Sequence, residues 1–352
     1  METKYLKSIL ALMTVMALSC DEPETIVTDI VHQDGSVTRK LEMRNTEKKF
    51  NVHNIQVPFD STWTVRDSVE ISKKGDTTWV KRAEKFYKNA EEINKSYHAD
   101  SGSNRDVSRR VEFRKKFRWF NTNVRFSEVI DKRLSNGYPV SDFLDKEELN
   151  YFYSPGNVTA KLLQSPDSLR YKALKDSVSS KTERWTFKSA VADWISVFTG
   201  LTGNKAEGDI SFKALKAREN DLVRIFMENG NHFDSLWKSG TLLKEFIGEK
   251  GTAKYKTEAD SAMSTVESQI MTNFHEYTVR IVMPGKLLST SGFVDSLKNL
   301  TWPVSSDFFL TQPYKMWAES KISNIWAWVV SGAFLLFVLA GIIFKSVRKR
   351  QV

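Results

Sequence analysis

The chain has 352 residues, of which 41% are hydrophobic, 12% aromatic and 27% charged, a balance that excludes a disordered polypeptide and suffices for one large or two ordinary cores. Its formal charge of +9 is gathered partly at the two ends, where Lys4, Lys7, Lys345, Arg348, Lys349 and Arg350 face only Glu2. That placement is a signal of membrane topology and argues against a nucleic-acid partner.

Lys4 and Lys7 precede the apolar run SILALMTVMAL, and small residues then lead to Cys20, so residues 1–19 have the tripartite form of a secretory signal. The run is about half the length that spans a bilayer. Cys20 is the one cysteine, which leaves no internal disulfide and no cysteine-based zinc site. ALSC resembles the lipobox of bacterial lipoproteins, with Ala17 where leucine is the commoner choice. The resemblance implies cleavage before Cys20 and acyl chains, palmitate among them, on its sulfur and its amine. An ordinary signal peptide cut nearby is the alternative. The acidic DEPE around Cys20's C-terminal side is similar to the sorting signals of some Bacteroidetes lipoproteins.

Residues 20–135 read as a β-rich region. Two strand-like runs flank Asp34-Gly35, a hairpin signal because glycine tolerates positive φ. A second hairpin is expected where Trp63, Val65, Val69 and Ile71 alternate with polar residues before Lys74-Gly75-Asp76. A short helix is expected over 83–97. The segment from Arg109 to Ile130 is strand-like, with Val111, Phe113, Phe117 and Trp119 on one face and Arg110, Arg114, Lys116 and Arg118 on the other. Together with Arg109 these cations form a candidate contact for anionic lipid or another polyanion. The alternative is the wet face of an antiparallel sheet.

Over residues 136–273 the period becomes helical. Asp145 and Glu148 have capping-box spacing, Ser154-Pro155-Gly156 stops that helix, and Ser165-Pro166 starts another. Phe187, Val191, Trp194 and Phe198 share one face, with Gly200 as the expected stop. Helices are predicted at 210–228, 231–247 and 257–274, the last striped by Met263, Val266, Ile270 and Phe274, a pattern of core packing.

Residues 274–322 return to strand: a strand, a Pro284-Gly285 corner, a second strand, then LTWPV and YKMWAES. Over 323–344, IWAWVVSGAFLLFVLAGIIF carries no charge and matches a bilayer's hydrocarbon thickness. Trp317, Trp326 and Trp328 are the expected interfacial anchors on one side. On the other, Arg348, Lys349 and Arg350 lie in the basic tail, 345–352, and place the C-terminus in the cytoplasm. A buried core helix is the alternative.

The fold class expected is therefore α+β: a mixed β-sheet or small barrel from N- and C-terminal strands, a helical middle region and one transmembrane helix. A lipid at Cys20 would return the N-terminal strands to the bilayer from which the C-terminal strands emerge, stapling the sheet there. The order of parts, together with DGSVT and MPGKLLSTSG, resembles the LppM type of membrane-anchored bacterial lipoproteins. That resemblance implies an envelope-facing module able to hold lipid or glycolipid, and it carries over no catalytic residue. The helical middle is longer than that pattern needs.

His32, His53, His98, His232 and His275 are scattered without metal-ligand spacing, and no nucleophile elbow, Walker loop or dinucleotide fingerprint is present. No catalytic, cofactor-binding or metal residue is named on these grounds. The expected function is a non-enzymatic envelope lipoprotein in the cytoplasmic membrane that binds a partner protein or supports envelope assembly. Lipid or glycolipid transfer is the second reading, and an envelope hydrolase the third.

Overall fold

The computed structural model describes residues 23–50, 55–100, 107–154, 168–203, 208–229, 232–271, 274–295 and 299–349. Cys20 with its leader, the Ser165-Pro166 helix start and Arg350 lie outside the described residues, and the side chains of Arg348 and Lys349 are likewise not described.

Strands β1 (Glu24–Val31) and β2 (Val37–Asn45) form the first hairpin. Its turn holds Gly35 at φ +97°, and the Asp34 carboxylate accepts from the amide and hydroxyl of Ser36. β3 (Thr64–Ile71) and β4 (Thr77–Tyr87) form the second. The helix expected at 83–97 starts later, as α1 (Ala90–Ala99) capped by Asn89, because β4 stays paired with β2 as far as Tyr87 opposite Val37. β5 (Arg109–Arg118) and β6 (Asn121–Ile130) make a third hairpin with Trp119 and Phe120 as its turn.

The helical region follows β6. It comprises α2 (Lys146–Tyr153), α3 (Ser168–Thr202), α4 (Phe212–Ala217), α5 (Glu219–Glu228), α6 (Phe233–Lys238) and α7 (Thr241–Ile270). The Asp145–Glu148 capping box is formed as its spacing predicts. α3 runs through Gly200, and α7 carries the chain past kinks at Gly248 and Tyr255. The chain then returns to strand in β7 (Tyr277–Val282), β8 (Lys286–Thr290), β9 (Phe293–Val294), β10 (Leu300–Val304) and β11 (Tyr314–Ser323) before α8 (Ile325–Lys349).

The α+β class with strands at both ends and helices between is the observed architecture, and the strands form two sheets. One is mixed, in the order β3-β4-β2-β1-β7-β10-β9, and its β1–β7 pair is parallel. The other is antiparallel, β5-β6-β11-β8. Their facing residues, with Leu41, Phe126, Trp302 and Met316 fully enclosed, form one core together with Phe309 from the β10–β11 connection, and α1 closes it with Ile93 and Tyr97. Truncating a ring such as Phe126 there costs about 3–5 kcal/mol. A second core lies within the helical unit, where Trp194 stacks on Phe198 and meets Trp237 and Phe246 edge-on. Phe152 packs against both cores and meets Phe308 edge-on.

The sandwich has two distinct ends. At one, Ser323 of β11 pairs with Asn121 beside the β5–β6 turn, and α8 begins. Lys286, just past the Pro284-Gly285 corner, pairs with Lys321 near this end, and Ser320 donates to the Pro284 carbonyl at 2.6 Å. At the other end, Ile130 pairs with Tyr314 and with Arg109, and Leu134 donates to the Leu310 carbonyl, which ties the helical unit there. Because β1 is parallel to β7, with Ile30 opposite Val282, it runs toward the α8 end. Glu24 therefore starts seven residues, roughly 23 Å, back from the Val31 end. β1 thus begins at the end remote from α8, while Cys20, on which the expected staple depends, lies outside the described residues.

Candidate membrane-facing site

Ile325–Lys345 is long and apolar enough to cross a membrane, and it is almost entirely unburied. No linker separates it from the sandwich, because Asn324 follows β11 directly and is bonded on three sides. Its amide nitrogen Nδ2 donates to the carbonyls of Arg118 (2.7 Å) and Trp119 (3.2 Å), and its backbone N–H donates to the Phe120 carbonyl. Its Oδ1 accepts from Thr122 Oγ1, and its own carbonyl accepts from the Ala327 N–H. One residue thus satisfies the carbonyls of the β5–β6 turn and joins that turn to the helix.

Around this joint five aromatic rings form a collar. Phe117 stacks on Trp326 at 6.3 Å, Trp119 meets Trp326 edge-on at 5.2 Å, and Phe120 lies 4.3 Å from Trp328. Trp119 also donates its indole N–H to Ser331 Oγ. Phe117 and Trp119 have the inward phase of β5, yet they are 59% and 48% exposed. The cover runs out because the β1–β2 turn ends level with Phe113, whose ring lies where a Cβ on Gly35 would point. Half-exposed indoles beside an apolar helix are the arrangement of an interfacial aromatic belt.

The residues named from sequence divide among three places. Trp326 and Trp328 are in the collar. Trp317 is not: it sits opposite Ser127 on β11, six residues before Ser323 and roughly 20 Å along the strand from it, with Arg125 at 4.1 Å over its ring. Arg110, Arg114, Lys116 and Arg118 are exposed on β5. Arg110 and Arg114 share Glu112 at 3.4 and 2.7 Å, whereas Lys116 and Arg118 have no ion-pair partner among the described residues.

Arg109 is a correction, because its side chain is fully enclosed and contacts no lipid or solvent. It has the inward phase of Val111 and lies within ring distance of Tyr97, Phe274 and Tyr277. There it belongs to a buried polar network that bridges the sheets. Asp29 and Arg39, opposite one another on β1 and β2, form a bidentate pair at 2.7 and 2.8 Å. Arg39 also donates to Glu128 (2.9 Å) and to the Tyr97 hydroxyl (2.7 Å), which in turn donates to Glu128. Arg109 donates to the Tyr277 hydroxyl and approaches Glu128 at 3.7 Å.

Two guanidiniums and two carboxylates balance, which is the condition for tolerating charge in a dry interior. Burial pushes the Asp29 carboxyl up against the pull of Arg39, and burial likewise pushes the Tyr277 phenol up to about 12. Burial acts to lower the Arg109 guanidinium, but Tyr277, Tyr97 and Glu128 outweigh it and hold the group above its ordinary value. The members of the network bond chiefly to one another across the two sheets, so its chemistry is cohesion between them. Its signal in the sequence is a charge at the inward phase of an apolar alternation, Asp29 between Val27 and Val31, and Arg39 between Val37 and Leu41.

A groove of about 340 Å³ lies in the helical unit, lined by Phe233, Trp237, Lys256, Asp260, Met263 and Glu267 among others. Burial and the nearby Asp234 push the Glu267 carboxyl up, opposed by Lys238. Trp237 donates to Asp260, which pairs with Lys256, so its polar rim is largely self-bonded. No cluster of three or more His, Cys, Asp or Glu side chains suited to a metal is formed among the described residues.

No family model matches the chain, and no curated protein and no solved structure is similar to it.

Proposed function

We propose that this chain is a non-enzymatic protein of the bacterial envelope that seats its sandwich on the outer face of the cytoplasmic membrane and presents its helical unit to a partner protein. The observation that carries the reading is the Asn324 joint. A membrane helix used only as a tether tolerates a loose linker, whereas here the helix and the β5–β6 turn share a hydrogen-bonded residue and an aromatic collar. The helical unit is attached at the opposite end of the sandwich, where it stands clear of that collar. The basic tail supports a cytoplasmic C-terminus, and the resemblance to LppM-type membrane-anchored lipoproteins supports an envelope address.

Transfer of lipid or glycolipid is less well supported. The space between the sheets is filled by Arg39, Phe126, Trp302 and Met316, each under 2% exposed, and a lipid carrier needs that space open.

Photo-crosslinking in intact cells from the exposed Lys238 and Lys256, beside the helical groove, tests the proposal. A discrete protein adduct is the expected result. Recovery of lipid and self-adducts alone overturns it, and so does protease digestion of a C-terminal tag from outside intact spheroplasts.

A further inference from the structure

We infer that the outer face of the β5-β6-β11-β8 sheet carries a binding row for the phosphate headgroups of anionic lipids in the bilayer that α8 crosses. The inference rests on the reading of α8 as a membrane span and adds the lipid class that the sandwich selects.

The row is made by register. Lys116 of β5 is directly opposite Asn123 of β6, Asn123 opposite Lys321 of β11, and Lys321 opposite Lys286 of β8. Directly opposed residues of an antiparallel sheet point to the same side, so three lysines from distant parts of the chain share one line. The inward phase belongs to Val124, Phe126, Ala318 and Ser320, which places this line on the outer face. Lys116 and Lys286 are exposed and Lys321 is half-buried. None of the three has an ion-pair partner among the described residues, and Arg118, one row nearer the helix, has none either. The carboxylate of Glu319, on the same face one row further away, instead accepts from Asn123.

Two lysines placed directly opposite one another repel, and with the carboxylate of Glu319 turned to Asn123 and ion-paired to neither of them, the pair is left open to an external anion. The height of the row identifies the anion. Trp119 bonds to Ser331, six residues or roughly 9 Å into the helix, so the collar rings lie at the depth where indoles meet the acyl boundary. Lys116 is three residues, roughly 10 Å, back along the strand from Trp119, and its flexible stem lets the ammonium reach the layer between. That layer is the headgroup region, where phosphates are the anions present. The row is continuous with the collar, so the surface it docks on is the same bilayer.

The test uses the full chain reconstituted in vesicles of phosphatidylcholine with and without phosphatidylglycerol, then extracted in mild detergent for native mass spectrometry of retained lipid. The wild-type protein is expected to retain phosphatidylglycerol in excess of its share of the vesicle. The triple variant Lys116→Gln/Lys286→Gln/Lys321→Gln is expected to lose that excess, by roughly fivefold for each lysine neutralised. Arg110→Gln, on the same strand but paired with Glu112 away from the row, is expected to keep it. Equal enrichment in the wild type and the triple variant, with unchanged melting of both, overturns the inference. Failure of the wild type to float with neutral vesicles overturns the membrane reading itself, and flotation without enrichment overturns the lipid row alone.

Discussion

Trp119 Nε1 donates to Ser331 Oγ at 2.9 Å, joining the turn of a central hairpin to the second turn of a helix 212 residues later. Alongside it, Asn324 holds the carbonyls of Arg118 and Trp119. The helix is thereby fixed to the sandwich by contacts distant in sequence, and its direction is set by the hairpin.

Asn324→Ala removes the side-chain half of this joint. Two donated bonds and one accepted bond are lost at a half-buried position, worth about 1–3 kcal/mol in total. The global fold, carried by the two cores, is expected to survive. The angle between helix and sandwich is expected to loosen, so spin labels placed on the β3–β4 turn and on α8 should show a broadened distance distribution. An unchanged distribution would mean that the collar alone sets the angle.

The network of Asp29 and Arg39 predicts a non-additive pair. Arg39→Leu leaves Asp29 and Glu128 buried with one guanidinium between them, at a cost of about 3–5 kcal/mol. Adding Asp29→Leu restores the balance of one cation, Arg109, to one anion, Glu128. The double variant is therefore expected to be more stable than Arg39→Leu alone, measured by the urea midpoint. A double variant as unstable as the sum of the singles contradicts the account.

Much of this fold is legible where a local rule fixes the geometry. Asp34-Gly35, the Asp145–Glu148 box and the Pro284-Gly285 corner each specify backbone conformation within a few residues, and each is formed. The β5–β6 turn is not legible in this way, because it is built from Trp119 and Phe120 with no glycine, proline or asparagine at its centre. Its carbonyls are held by Asn324, which no local pattern connects to it. Arg109 shows a different failure. Its phase with Val111 already placed it inward, but its charge and its neighbour Arg110 suggested a surface. The lysine row lies further out of reach, since only the register of four strands aligns Lys116, Lys321 and Lys286.

Acid is expected to weaken the helical unit through Glu148. Burial pushes its carboxyl up, but the Lys181 ammonium, the Ser177 hydroxyl and the Asp145 amide outweigh that and hold it below the ordinary glutamate value. A carboxyl depressed in the folded state stabilises above its unfolded pKa, and that contribution is lost as pH falls through the folded pKa. The loss is thus expected below about pH 4. Glu148→Gln should have a lower melting temperature than the wild type at neutral pH, and the gap should close on acidification. A gap that persists in acid would show that the charge is immaterial.

Cys20→Ala is expected to leave the protein in the membrane fraction, because α8 is long and apolar enough to cross a membrane without a second anchor. It should also leave the melting temperature of the sandwich unchanged. β1 begins at the end remote from α8, and its pairing with β2 and β7 holds it without help from an anchor. Release of the variant into the soluble fraction would contradict the reading of α8. A lowered melting temperature would show that an anchor at Cys20 tensions the sheet after all.

Lys286→Glu separates the two roles that a basic row can have. Facing Lys321 across β8 and β11, the new carboxylate replaces a repulsive pair with an attractive one. Cross-strand pairs of this kind are worth about 0.2–1 kcal/mol, so the variant is expected to melt slightly higher than the wild type in neutral detergent. If the row existed for the sheet's own cohesion, function and stability would rise together. A row kept for phosphate instead predicts the opposite movement: higher stability in detergent and weaker retention of phosphatidylglycerol in the same preparation. Lys286→Gln provides the intermediate case, relieving repulsion without supplying attraction, and should fall between the two on both measurements. A variant that melts higher and retains phosphatidylglycerol as well as the wild type would show that Lys286 faces solvent alone.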